Sequence, residues 1–222
     1  MNRTLILDLD GTIVDSVPDL AAALNRLMAS RGLAGFARPD VARMVGDGVP
    51  VLVARGFAAH GAAPDPDAVD DFMADYTAHA AVETCPFPGA PDTLHALAAS
   101  GWKLAVCTNK PEAPARALLA SLGLLDAFAA IGGGDSFPAR KPDPAHLLAT
   151  LKAAGGDPAR AIMAGDHAND VRAATGAGLP CIFAAWGYGP PCMAEGAAAV
   201  AERFTDLPAI AERLLQPPAR VR

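Results

Sequence analysis

The chain has 222 residues, a formal net charge of −6 and 52% hydrophobic residues. That apolar content excludes a disordered chain, and the length suits one large α/β domain or a core carrying a smaller inserted one. The acidic balance and the absence of any Lys/Arg cluster argue against a nucleic-acid binder, and no apolar run is long enough to span a bilayer.

Thr4-Leu5-Ile6-Leu7 opens the chain without a signal-peptide pattern, and Leu5 to Leu9 reads as a buried strand ending in acidic residues. Residues 17–82 then carry helical spacing and no convincing strand. Leu20, Leu24, Leu27 and Met28 mark a first helix, and Val41, Met44 and Val45 a short second one. Val51 to Phe57 mark a third, and Val69, Phe72, Met73 and Tyr76 a fourth. Pro86-Phe87-Pro88-Gly89 is a strong breaker and a hinge candidate.

Beyond it strand and helix alternate. Lys103 to Thr108 predicts a strand, Glu112 to Leu122 a helix, and Phe128 to Ile131 a short strand. Asp143 before Pro144 is an N-cap followed by proline, opening a helix to about Ala154. Ala161 to Ala164 is a strand, Asn169 to Ala177 a helix, and Pro180 to Ala184 a strand. Asp206-Leu207-Pro208 opens a last helix, and the Pro- and Arg-rich tail from Gln216 is expected to fray. Cys85, Cys107, Cys181 and Cys192 show no metal spacing and read as reduced thiols, in keeping with a soluble cytoplasmic protein.

The expected fold is therefore α/β. It has a Rossmann-like, doubly wound, mostly parallel sheet as its core (residues 1–15 and 86–222) and an inserted α-helical cap (residues 16–85). In such sheets ligands bind beyond the carboxyl ends of the strands. Four polar features fall there: Asp8 to Thr12, Thr108-Asn109, Lys141-Pro142 and Gly165-Asp166. Each alone reads as structure: acidic residues cap turns, Gly-Asp precedes helices, and a lone Lys is usually a solvated charge. Their convergence on one rim favours a site.

The chemistry those residues permit is phosphoryl transfer, in which positioning and charge neutralisation supply most of the barrier reduction. Asp8 is the candidate nucleophile. Asp10, two residues on along a strand, would share its face and act as general acid and base. Mg²⁺ would offset the repulsion of the paired carboxylates, with Asp166 as a further ligand and Asp170 one helical turn later. Lys141 would neutralise the anionic transition state. Gly11 lets backbone N–H groups approach phosphate, and Thr108 adds a hydroxyl donor.

Taken together, Asp8-Leu-Asp-Gly-Thr, Thr108-Asn109, Lys141 and Gly165-Asp166-His-Ala-Asn-Asp170 resemble the four motifs of the haloacid dehalogenase superfamily, in order and over essentially the whole chain. The resemblance is to its phosphatases. It implies Asp8 as nucleophile and Asp10 as acid/base. It also implies Mg²⁺ on Asp8, the backbone carbonyl of Asp10, and Asp166, with Asp170 in support, and a mobile cap that excludes water. Asp10 argues against the dehalogenases and phosphonate-cleaving members, which lack a second Asp in the first motif. Leu20 stands near where β-phosphoglucomutases carry a His, which argues against the mutase.

Gly132 to Pro144, Trp186-Gly-Tyr-Gly and the cap stretch Gly46-Asp-Gly-Val-Pro-Val-Leu-Val-Ala-Arg55 are most similar to phosphoglycolate phosphatases. The resemblance makes Gly46, Gly48, Asn109 and Arg55 substrate-binding candidates. A cap N–H cradle or Arg55 would take a substrate carboxylate, and Arg55 reads equally well as a solvated helix face. Pro50 departs from the expected helix former but fits a first helical turn. The five histidines receive no role. Phosphatases of N-acetylmuramate 6-phosphate, a sugar phosphate or pyrophosphate are the nearest alternatives. A receiver-type signalling domain, with Asp135 as its phosphate acceptor, is disfavoured by length and by the helical insert. A small phosphate ester is the expected partner, with no nucleic acid or membrane, and the chain would act as a monomer or homodimer.

Overall fold

The computed structural model describes residues 3–79 and 81–216. In chain order the elements are β1 (Thr4–Leu7), β2 (Val14–Asp15), α1 (Val17–Ser30), α2 (Arg38–Ala42), α3 (Val49–Ala58), α4 (Ala68–His79) and β3 (Cys85–Pro86). There follow α5 (Ala90–Ala99), β4 (Lys103–Cys107), α6 (Glu112–Ser121), β5 (Ala130–Gly132), α7 (Pro144–Ala153) and β6 (Ala161–Gly165). The last are α8 (Ala168–Gly176), β7 (Cys181–Ala184), β8 (Ala199–Ala201) and α9 (Leu207–Leu215).

Six strands form one parallel sheet in the order β5-β4-β1-β6-β7-β8. A parallel sheet covered on both faces needs strands that are apolar throughout, and β1, β6 and β7 are buried at every position. Side-chain alternation sorts these strands onto two cores. Leu5, Leu7, Leu104, Val106 and Ile162 pack with Leu94, Leu118 and Leu207 on the α5, α6 and α9 side. Ile6, Ala105, Cys107, Met163 and Phe183 pack with Leu147, Leu151 and Val171 on the α7 and α8 side. The strand order puts β1 in the middle with β4 and β6 beside it, so the carboxyl ends of these three strands lie side by side.

Helices α1 to α4 build a third core, from Leu20, Leu24, Met28, Val53, Phe72 and Tyr76 among others. Between residues 17 and 79 the chain contains no strand, as its 3.6-residue spacing predicts. Pro50 does occupy the first turn of α3. Asp143 caps α7 by accepting from Ala145 N at 2.9 Å. All four cysteines are free, Cys107 and Cys181 buried and Cys85 and Cys192 exposed. Among the described residues no helix is long and apolar enough to cross a membrane. The tail lies outside the described residues from residue 217 on.

The structure departs from the sequence reading in several places: α2 ends at Ala42, leaving Met44 and Val45 outside it, and β5 runs Ala130–Gly132 rather than from Phe128. β1 stops at Leu7 rather than Leu9, because the chain curls there into a turn. Helix α5 was not foreseen, since its only large apolar residues are Leu94 and Leu97 in an Ala-rich stretch. Edge strand β8 is three residues long with Val200 exposed, too short to give a period. The pairing of β2 with β3, Val14 against Pro86 and Asp15 against Cys85, joins residues some seventy apart and leaves no local trace. That pair sits where the chain leaves the sheet for the helical layer and where it returns.

Candidate active site

Asp8 follows the last residue of central strand β1 and keeps the ladder going, donating its N–H to Ala164 O at 2.9 Å. Its neighbour Leu9 is fully buried, and the N–H groups of Thr12, Ile13 and Val14 converge on Leu9 O at 3.2, 2.9 and 3.1 Å. This turn, not a continuing strand, carries Asp10. Two residues along a strand would share a face, but here the chain has already turned, so both carboxylates reach one cavity for a different reason. Gly11 makes the turn possible. Its φ is +85°, and a Cβ there would run into the Asp166 carboxylate.

Asp8 shares the sheet face of Ile6, and Lys141 reaches it from the segment before α7. Lys141 Nζ lies 2.9 Å from Asp8 Oδ1 and 2.6 Å from Asp170 Oδ1, with all three groups buried. Burial would lower the Lys141 pKa, but the charges of Asp170 and Asp8 override it and hold the ammonium strongly protonated. Asp166 follows β6. It accepts from Thr12 Oγ1 at 2.9 Å and from Tyr188 N at 2.8 Å. Burial first, and the Asp8 charge second, push its carboxyl up to about 7. Burial also raises Asp170 against the opposing pull of Lys141.

Carboxylate oxygens of Asp8, Asp166 and Asp170 lie within 4.8 Å of one another. Three buried carboxylates facing one ammonium leave negative charge uncompensated, and the all-oxygen donor set suits a hard divalent cation. The residues therefore fit a metal. The Asp10 side chain stands outside this group, because its two oxygens each lie 3.2 Å from Lys110 Nζ.

Lys110 was not singled out in the sequence, where a lysine after a strand reads as a surface charge. Its side chain is only 3% exposed. Burial would depress its pKa, but Asp10 and Tyr76 reverse that and the group is held charged. Its Nζ also donates to Tyr76 Oη at 2.9 Å, so a residue of α4 meets the rim of the sheet here.

Thr108 follows β4 and lines the cavity, its hydroxyl accepting from Lys110 N at 3.2 Å. Asn109 lines it too and bridges two segments, donating to Gly46 O and Lys141 O at 3.0 Å each. The loop Gly46-Asp47-Gly48 lies against the core. Asn169 donates to Asp47 Oδ1 at 2.6 Å, and a Cβ at Gly46 would strike the His167 ring. Arg55 does not join the cavity. Its guanidinium spans Asp47 Oδ2 at 2.5 Å and Met44 O at 2.8 Å, which ties the loop down from behind. Burial favours neutral Asp47, yet these bonds from Asn169 and Arg55 outweigh it and hold the carboxyl below its usual range. The remaining lining, from the helical layer, is apolar: Leu20, Val45, Val49 and Leu52.

A family model described as haloacid dehalogenase-like hydrolase matches residues 2–178. The chain belongs to that family. It is 44% identical over 216 residues to a phosphoglycolate phosphatase of Rhodospirillum rubrum, covering 93% of this chain and 90% of the relative. It is 43% identical over 210 residues to one of Caulobacter vibrioides, covering 92% and 89%. A crystal structure titled as a predicted phosphoglycolate phosphatase from Haemophilus somnus superposes with a TM-score of 0.85 at 29% identity, covering 94% of this chain and 97% of that one.

Two further features of this haloacid dehalogenase-like hydrolase escaped sequence reading. His167 is the N-cap of α8, and Asp170 returns the bond to His167 N at 3.0 Å, a reciprocal box that also aims Asp170 at Lys141. Tyr188 links the Asp166 loop to the β2–α1 junction. Its N–H holds Asp166, while its hydroxyl donates to Asp15 Oδ1 at 2.8 Å and accepts from Ser16 N at 2.8 Å. The histidine gave no metal spacing, and a tyrosine after a strand gives no clue that it meets residues 172 and 173 positions earlier.

Proposed function

We propose that this chain is a Mg²⁺-dependent phosphatase that hydrolyses 2-phosphoglycolate to glycolate and phosphate through an aspartyl-phosphate on Asp8. Family membership and the phosphoglycolate phosphatase relatives support a phosphoric monoester hydrolase. The observation that carries the mechanism is Asp8 at the mouth of the central strand, ion-paired to buried Lys141 and facing the cavity that Asp10 shares.

In this reading an Asp8 oxygen attacks phosphorus and the ester P–O bond breaks. Asp10 gives its proton to the departing glycolate oxygen. Asp10 then takes a proton from water as that water attacks the aspartyl-phosphate, which releases phosphate and restores Asp8. Lys141 offsets negative charge on Asp8 and the transferring group, and Asp170 holds Lys141 in place. Mg²⁺, bound by Asp8, Asp166 and the Asp10 carbonyl, would supply further neutralisation of the phosphoryl oxygens. Residues 16–85 act as the cap over a core of residues 1–15 and 86–222, with β2, β3 and their flanks as its hinge. Its Leu20, Val45, Val49 and Leu52 keep water from the intermediate. With Leu20 at the wall, the cap position that bears a His in mutases has no group to move a proton.

Steady-state kinetics on a phosphate-ester panel, with and without Mg²⁺, tests the proposal. The panel contains 2-phosphoglycolate, N-acetylmuramate 6-phosphate, a sugar phosphate and pyrophosphate. Phosphoglycolate should have the highest kcat/KM, EDTA should abolish turnover, and Asp8→Asn should do the same. Turnover of phosphoglycolate no faster than of the other esters would remove the substrate assignment. No turnover of any ester with metal present would remove the phosphatase.

A further inference from the structure

We propose that Lys110 is the receptor for the second negative charge of the substrate, the group that makes the enzyme prefer a phosphate ester bearing a nearby carboxylate. The inference rests on the phosphatase reading and deepens it. Arg55, the cation that the cap sequence offers for this task, is committed to Asp47 and Met44 O and does not line the cavity. The cap lines the cavity with apolar side chains and two glycines, so no cap side chain there carries a positive charge. Among the described residues lining the cavity, Lys110 is the only cationic side chain.

Its position matches the geometry of the substrate. In phosphoglycolate the carboxylate carbon is two bonds from the ester oxygen. The acid that protonates that oxygen is Asp10, so a carboxylate receptor has to stand next to Asp10. Lys110 Nζ is 3.2 Å from both Asp10 oxygens. An ammonium has three N–H donors. Tyr76 Oη takes one at 2.9 Å, and the equal distances to Asp10 fit a single shared donor. That sharing would leave the third for a ligand oxygen.

The surroundings keep the ammonium fixed. Lys110 N donates to Thr108 Oγ1 at 3.2 Å, Lys110 O accepts from Gly134 N at 2.8 Å, and the Tyr76 ring centroid lies 4.4 Å from Nζ. A buried cation held by core and cap together exerts its charge in a medium where water screens little. A substrate with no second charge leaves this ammonium with Asp10 and Tyr76 alone as partners. One with a positive group in that place is repelled.

The test compares three substrates of one skeleton under saturating Mg²⁺: 2-phosphoglycolate, ethyl phosphate and phosphoethanolamine. The wild type should rank them in that order of kcat/KM. Lys110→Met should lower kcat/KM for all, since Asp10 also loses its partner. It should also shrink the preference for phosphoglycolate over ethyl phosphate by roughly 100-fold, while Lys110→Arg keeps most of that preference. Lys110→Gln, one bond shorter but polar, provides a second charge-free variant if Met does not fold, and it must flatten the ranking in the same way.

An equal fall on all three substrates, leaving the ranking intact, would overturn the proposal and leave Lys110 as a positioning residue for Asp10. A wild type that fails to prefer phosphoglycolate over ethyl phosphate would overturn it too. Complete inactivity on every ester, in contrast, would fault the phosphatase reading beneath it.

Discussion

Asp19 is expected to hold residues 82–84 to helix α1, and Asp19→Ala should unmask that role. Asp19 is 5% exposed on α1, and it accepts from Val82 N at 3.1 Å, Glu83 N at 3.0 Å and Thr84 N at 2.9 Å, and from Thr84 Oγ1 at 2.7 Å. Val82 and Glu83 are exposed, so water replaces the carboxylate at those two N–H groups. Thr84 is 6% exposed, and its N–H and hydroxyl would be left without a partner. At about 1–3 kcal/mol for each buried unpaired group, the loss comes to about 3–4 kcal/mol. Asp19→Asn should cost roughly half of that, because the amide oxygen still accepts from Thr84 while its NH₂ faces the Glu83 N–H.

Urea unfolding at pH 7, followed by far-ultraviolet circular dichroism, measures both variants. The pH dependence provides a second reading. Burial opposes ionisation of Asp19, but the bonds from Thr84, Glu83 and Val82 win and its folded pKa lies below 3.8. The stabilisation it contributes is therefore complete above pH 3.8 and vanishes as pH falls through the lower, folded value. A destabilisation below about 1 kcal/mol for Asp19→Ala at pH 7, or a gap to wild type that widens in acid, would refute the reasoning.

The buried carboxylates predict an opposite slope in metal-free protein. Asp166 is raised from 3.8 to about 7, so the stability associated with its protonated form is lost as pH rises through 7. His146, lowered to about 4 by burial and by Lys141, has finished its own contribution by pH 6.5. Melting in EDTA should therefore decline most steeply just above pH 6.5, with a slope of at most about 1.4 kcal/mol per pH unit for one carboxyl, and level off once pH passes 7. Saturating Mg²⁺ should raise the curve and flatten it, and a flat curve in EDTA would count against an uncompensated charge at Asp166. Gly11→Ala should cut kcat/KM by about 100-fold, because the new methyl displaces the Asp166 carboxylate and φ +85° disfavours alanine. Activity within threefold of wild type would show that the turn relaxes at no cost.

Asp8, Asp10, Thr108, Lys141, Asp166 and Asp170 were legible in the sequence because a parallel sheet has a rule for its strand ends. Polar residues just beyond apolar runs are gathered on one rim whatever their separation along the chain. The helical layer was legible for a similar reason, since a buried helix face imposes its period locally. Arg55 read equally as a substrate contact or a solvated helix face for as long as Asp47 was only a loop residue. Folded, the two close on each other. Lys110 shows the reverse: one more lysine after a strand until Asp10 and Tyr76, from two distant segments, surround it.

Residue type and local period determined that this chain builds a parallel α/β core with a helical insert, and which carboxylates and lysine crowd its central strand ends. Pairing across the chain was decided only by the tertiary structure. That covers the β2–β3 junction, the Asp19 clamp, the Tyr188 tie to Asp15, and the choice of Lys110 over Arg55 as the cation in the cavity. Local pattern encodes burial, which each segment expresses by itself. A partner for a buried charge is a property of two segments, and it exists only once packing has brought them together.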